Sequence, residues 1–225
     1  MKLIIDFANL DDIKRLYEYY PIDGVTTNPS ILAKEKRNPY EVLTAIRNFI
    51  GKDADLHVQA LSMKAEQMVE EADVIRKKLG DNTFVKIPTT VEGVKAIKIL
   101  KAKGVRITAT AIYTHMQAFL AGKAGADYVA PYVNRIDNLG ANGIKTAIEI
   151  HDILKRNNLP TEVLAASFKN TQQAQELALH GLGAATIAPD IIEGMLKIDA
   201  AIIAVDAFVK DFEKLCGEGK TMINA

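Results

Sequence analysis

The chain has 225 residues, 48% of them apolar and 25% charged, enough to bury a sizeable core in one large domain. Twenty-eight Lys and Arg balance 28 Asp and Glu, a formal net charge of zero; this excludes the basic footprint of a nucleic-acid binder and suits a chain that self-associates. One cysteine, Cys216, allows no disulfide within the chain, the run Leu3-Ile4-Ile5 is too short for a signal peptide, and no apolar run reaches membrane-span length, so a cytoplasmic protein without membrane contact is expected.

Along the chain, short apolar runs alternate with amphipathic stretches. Strands are predicted at Leu3–Phe7 and Asp23–Thr26. A helix follows at Pro39–Ile50, then strand Asp55–Gln59, helix Lys64–Leu79, strand Thr83–Ile87 and helix Val91–Lys103. The same alternation gives strand Val105–Thr110, helix Thr114–Ala124, strand Asp127–Tyr132 and helix Gly143–Arg156. Strand Glu162–Ser167, helix Thr171–His180 and strand Ala184–Ala188 follow, with two last helices near Pro189–Leu196 and Asp199–Leu215. Eight strands, each followed by helix, imply a parallel sheet. An open doubly wound sheet competes, but eight regular units favour a closed (β/α)8 barrel. No linker or charge block divides the chain. One domain over 1–225 is expected, with a C-terminal helix extending from the barrel.

A barrel builds its site at the C-terminal ends of its strands. There the sequence places Asp6, Thr26, Thr27, Asn28, Gln59, Lys86, Thr110, Tyr132, Asn134, Arg135 and Ser167. Buried polar groups are costly unless partnered, so a ring of them reads better as a ligand-binding mouth than as packing. Lys86 is the sharpest signal. In Phe84-Val85-Lys86-Ile87-Pro88, alternation turns Lys86 inward with Phe84 and Pro88, and Val85 and Ile87 toward the helices. Desolvation lowers an ammonium pKa, and a neutral amine can attack a carbonyl to give an iminium. That iminium is an electron sink for the carbanion left by C–C cleavage. Taken alone, a snorkelling or edge-protecting lysine is the competing account.

The other residues carry their own alternatives. Asp6 can pair with a lysine, move protons or hold a hydroxyl, or it can serve a turn or helix cap. Gly24-Val25-Thr26-Thr27-Asn28-Pro29-Ser30 offers short hydrogen-bonding side chains for sugar hydroxyls, or ordinary turn chemistry. Gln59, Thr110 and Tyr132 could hold a proton-shuttling water; Tyr132 could equally be a core aromatic with its hydroxyl at solvent. Arg135 and Ser167 suit a phosphate, whereas a salt bridge from Arg135 to Asp137 or Asp127 would be structural. Gly219-Lys220-Thr221 lacks the first glycine of a P-loop, and Gly181-Leu182-Gly183 precedes a strand rather than following one. His57, His115, His151 and His180 show no metal-ligand spacing. His57 shares a strand face with Gln59 and receives no role.

Gly24-Val25-Thr26-Thr27-Asn28-Pro29-Ser30 and Val85-Lys86-Ile87-Pro88 resemble the signatures of the transaldolase family, and within it the short subfamily containing the fructose-6-phosphate aldolases. The resemblance runs from Asp6 to about Ala188; the tail Cys216–Ala225 gives no strong match. It implies a class I aldolase barrel with Lys86 as the Schiff-base lysine and no metal or organic cofactor. It implies substrates that are sugar phosphates and dihydroxyacetone-like ketones, with Asp6 and Asn28 on the dihydroxyacetone hydroxyls. It also implies a homo-oligomer, a decamer among its forms, in which residues of about 199–225 meet a neighbouring subunit. Short transaldolases usually carry Glu, Asn and Phe where this chain has Gln59, Thr108 and Tyr132. Ala130–Asp137 and Ala165–Lys169 are similar to the aldolase version. The expected activity is therefore reversible cleavage of fructose 6-phosphate to dihydroxyacetone and glyceraldehyde 3-phosphate. Transaldolase is the alternative, and a non-catalytic sugar-phosphate-binding barrel the third.

Overall fold

Eight parallel strands close into a barrel in sequence order, as the alternation of elements requires. The computed structural model describes all of residues 1–225. The strands are β1 (Lys2–Asp6), β2 (Gly24–Thr26), β3 (Asp55–Gln59), β4 (Phe84–Pro88), β5 (Ile107–Ile112), β6 (Tyr128–Pro131), β7 (Glu162–Ala165) and β8 (Ala184–Ile187). The helices are α1 (Leu10–Tyr19), α2 (Pro29–Lys34), α3 (Pro39–Ile50), α4 (Ala65–Leu79), α5 (Val91–Ala102), α6 (His115–Lys123), α7 (Val133–Asn138), α8 (Gly143–Arg156), α9 (Thr171–His180), α10 (Pro189–Gly194) and α11 (Asp199–Cys216). Met1–Ile191 form one compact unit and Ile192–Ala225 a second.

Period-two alternation decides what fills the barrel. The outward residues Ile5, Val25, Leu56, Val85, Ile87, Ala109, Val129 and Val163 are fully buried or nearly so beneath the helices. The inward set is more polar. At its lower levels Ile4, Leu164 and Ala184 cluster with Tyr128, and Phe84 stacks on the His57 ring at 4.5 Å. His57 Nδ1 lies 2.8 Å from Thr108 Oγ1, so this histidine is a packed, hydrogen-bonded layer below the mouth. At the base, Lys2 Nζ donates to Asp55 at 2.5 Å. Gly24 lets β2 approach β3: a Cβ there would sit 2.2 Å from the Asp55 carbonyl oxygen, closer than a side chain can come.

Three helices depart from the predicted pattern. α1 is capped by Asn9, whose side chain accepts from the Asp11 and Asp12 amides. α2 begins inside the segment expected to be a loop: Asn28 caps it and Pro29 occupies its first turn, a pairing that suits helix starts. α7 begins at Val133, so Asn134 and Arg135 are helical rather than strand-terminal. β5 runs to Ile112, two residues beyond expectation, because a bulge between Ala109 and Ile112 shifts its register against β6. The bulge places Ala111 at a positive φ of 57°, a left-handed conformation that costs a non-glycine residue energy. Bulges of this kind re-aim side chains next to sites.

In the second unit, no residue of the 18-residue α11 is buried, and Ile202, Ile203, Val205, Phe208, Val209 and Leu215 are exposed. No helix of the chain is long and apolar enough to cross a membrane.

Candidate active site

The C-terminal rim of the barrel opens into a cavity of about 480 Å³. Its floor and walls include Asp6, Thr26, Asn28, Gln59, Lys86, Thr110, Tyr132, Arg135 and Ser167. Nine of the eleven expected residues thus converge from strands and loops far apart in sequence. The other two do not line it. Thr27 is fully buried; its hydroxyl donates to the His57 carbonyl at 3.3 Å, and its contribution is a main-chain carbonyl. Asn134, carried on α7, donates its amide N–H to the Ser167 carbonyl at 2.7 Å. It fixes the backbone that presents Ser167 and offers no side chain to the cavity.

Lys86 lies in the middle of β4 and is 6% exposed. Its Nζ donates to the Thr27 carbonyl at 2.8 Å. Burial pushes its pKa down, the Asp6 charge opposes that shift, and the Arg135 charge lowers it further. Asp6, at the end of β1, is pushed up by burial; Lys86, the Thr26 hydroxyl, Arg135 and Lys34 pull it back. Asp6 keeps partial solvent access at the mouth. Asp6 does not take Lys86 as a hydrogen-bonded partner. Its Oδ1 accepts from Thr26 Oγ1 at 2.7 Å, and Thr26 Oγ1 lies 2.6 Å from Thr186 Oγ1. This chain of hydroxyls ties β1, β2 and β8 together and holds the carboxylate in the field of the amine.

Across the mouth, Thr110 Oγ1 and the Tyr132 hydroxyl are 2.9 Å apart. Tyr132 is held from two sides: Tyr113 packs edge-on at 5.6 Å and the Arg135 guanidinium lies 4.5 Å over its ring. The structural alternative for Arg135 is thereby removed. Asp127 is bound by Lys101 at 2.8 Å, and Asp137 accepts from the Gly143 amide and Gln173 Nε2. Arg135 is exposed and faces the cavity without a carboxylate. Ser167 sits beside it at a positive φ of 62°, a second left-handed non-glycine residue at the rim. Gln59 is half-buried and lines the same wall. Asn28 Oδ1 is engaged by the Ile31 amide at 3.0 Å, so Asn28 caps a helix and lines the mouth at once.

Among the lining residues outside the expected set, two act on Asp6. Thr186 shares the inward phase of β8 and completes the hydroxyl chain to Asp6. Lys34, in the last turn of α2, lines the mouth and acts on the Asp6 charge. The mouth therefore gathers three cationic side chains, Lys34, Lys86 and Arg135, against one carboxylate. Such a surplus attracts an anionic substrate.

A sequence model of the family described as transaldolase/fructose-6-phosphate aldolase matches residues 3–222. The chain belongs to this family. The match runs beyond Ala188, where the recognisable motifs end, and takes in most of the tail that gave no strong resemblance. The transaldolase/fructose-6-phosphate aldolase family is one of enzymes, aldolases and transaldolases, that act on sugar phosphates. A buried amine of lowered basicity, a nearby carboxylate and a Tyr–Thr hydroxyl pair make a site able to add to a carbonyl and move a proton.

Proposed function

We propose that this protein is a class I aldolase that reversibly cleaves fructose 6-phosphate to dihydroxyacetone and glyceraldehyde 3-phosphate. The observation that carries the reading is Lys86, desolvated on the inner face of β4 with its Nζ turned to the mouth. The neutral amine adds to the C2 ketone, and the carbinolamine loses water to give an iminium. A water held by Gln59, Thr110 and Tyr132 takes the C4 hydroxyl proton. The C3–C4 electrons then pass into the iminium, leaving an enamine, and glyceraldehyde 3-phosphate departs with C4 as its aldehyde carbon. The enamine takes a proton at C3, one water hydrolyses the iminium, and dihydroxyacetone leaves with the amine regenerated. The iminium is the electron sink, so the cycle uses no metal.

Asp6 steadies the amine electrostatically and, with Asn28, meets the dihydroxyacetone hydroxyls. Arg135, Ser167 and Lys34 meet the phosphate. Tyr132 favours the aldolase over the transaldolase: a phenol beside Thr110 can deliver or relay the proton that ends the enamine's life. A phenylalanine there would leave the enamine to wait for a second aldehyde. The exposed apolar side chains of α11 support assembly into a homo-oligomer.

Incubation with fructose 6-phosphate alone tests the reading. Free dihydroxyacetone and glyceraldehyde 3-phosphate in equal amounts, both lost in Lys86→Ala, are expected. Sedoheptulose 7-phosphate formed only once erythrose 4-phosphate is added, with no free dihydroxyacetone, would make the protein a transaldolase.

A further inference from the structure

Two of the four histidines meet on the outer helical layer, away from the mouth. His151 and Asp152 lie late on α8, and His180 is the last residue of α9. α9 ends before β8 begins, so its C-terminus faces the base of the barrel, opposite the catalytic rim. One donor atom from each of His151, Asp152 and His180 falls within 4.8 Å of the other two. His180 Nε2 is already 3.1 Å from Asp152 Oδ1, and the two imidazole planes stand at 84° with centroids 5.6 Å apart. Perpendicular rings on adjacent helices can aim a nitrogen each at one shared point.

We infer that His151, Asp152 and His180 form a zinc(II) site that clips α8 to α9 at the base of the barrel. Two imidazole nitrogens and a carboxylate oxygen are the borderline donor set that zinc prefers over calcium or magnesium. Zinc–ligand bonds of about 2.0–2.1 Å place neighbouring donor atoms roughly 3.4 Å apart in a tetrahedron. The Asp152–His180 pair, at 3.1 Å, is close to that spacing, and small χ rotations open it and bring in His151. Water fills the fourth position. The ion displaces the proton shared by His180 and Asp152 and takes both imidazoles in their neutral form.

The surroundings fit this use. Arg156 sits 3.7 Å from the other carboxylate oxygen, Oδ2, where it orients Asp152 without occupying the zinc-facing oxygen. Lys155, the other nearby cation, is taken up by Glu162 at 2.5 Å. On the preceding turn of α8, Glu149 is engaged by His115 at 2.8 Å. No local spacing reveals the site, because 28 residues separate Asp152 from His180. The barrel face opposite the rim governs stability rather than chemistry, so the ion stabilises the fold and leaves turnover unchanged.

The test uses untagged protein stripped with EDTA and titrated with zinc chloride by calorimetry and thermal melting. One zinc per chain is expected, with Tm rising about 5–10 °C at a hundred-fold excess over Kd. His151→Ala, His180→Ala and the shape-preserving Asp152→Asn are each expected to weaken binding at least about 10-fold. Cobalt(II) is expected to give the visible absorption of a nitrogen- and oxygen-ligated ion that the variants lose. No heat and no Tm shift in the unaltered protein would overturn the proposal. So would a zinc affinity unchanged by all three variants, which would put the ion elsewhere, Cys216 included.

Discussion

Tyr132→Phe isolates the step that separates release from transfer. The substitution removes one oxygen, the partner 2.9 Å from Thr110 Oγ1. It keeps the ring, with its edge-on contact to Tyr113 and the Arg135 guanidinium above it. The fold should lose only the net value of one hydrogen bond, about 1 kcal/mol, or roughly 2–4 °C in Tm for a chain of this size. Proton delivery by a positioned side chain contributes roughly 10²–10⁴-fold to a step. Release of dihydroxyacetone from fructose 6-phosphate should therefore fall by about that factor. Formation of the covalent enamine should persist, and transfer to erythrose 4-phosphate should survive or increase. Parallel assays of free dihydroxyacetone and sedoheptulose 7-phosphate, run on Tyr132→Phe, Thr110→Val and the double variant, give the partition. Because the two hydroxyls act as one unit, the double variant should be little worse than the worse single one. Unchanged release of dihydroxyacetone from Tyr132→Phe would refute the reasoning.

Two further outcomes follow from the charges at the mouth. The acid limb of kcat/KM should report loss of the proton from Lys86, below the usual lysine value of 10.5. Asp6→Asn removes the one group that raises the Lys86 pKa and leaves Arg135 lowering it, so the limb should move to lower pH; movement to higher pH would contradict the assignment. Arg135→Met and Lys34→Ala should each raise KM for fructose 6-phosphate about 10-fold or more, as expected when a charge-assisted contact is lost. Each should lose far less toward addition of dihydroxyacetone to an unphosphorylated aldehyde, which initial-rate measurements on both acceptors would check.

Much of this molecule is written in period two and period 3.6. The strands are legible because Ile5, Leu56, Val85, Ile107 and Val129 are apolar in register with their neighbours, and one inward lysine in β4 stands out against that background. The elements that escape such a reading have physical reasons. α1 is only ten residues long and buries only Ile13 and Leu16. α2 and α7 are six residues each, too short for a periodicity to register, although Asn28-Pro29 is a start signal for the former. The Tyr132 side chain makes no cap to α7, so nothing local marks where β6 stops. The bulge in β5 strains an alanine, Ala111, where a glycine would have advertised it. The candidate site is legible for the same reason as the barrel: strand-terminal polar residues meet wherever parallel strands close. Thr27 and Asn134 fall away because adjacency in sequence turns their side chains elsewhere. Thr186 is hidden among small residues of β8, although its inward phase and polar side chain mark it as a member of the ring. Lys34 depends on α2, and only the helix brings it over the mouth.

The central claim is that Lys86 forms the covalent intermediate. Borohydride reduction of the protein during turnover of fructose 6-phosphate, followed by peptide mass analysis, tests it most directly. A reduced three-carbon adduct on the peptide containing Lys86, absent from Lys86→Ala and without substrate, is the predicted result. An active protein that yields no adduct, or carries it on another lysine, would contradict the account.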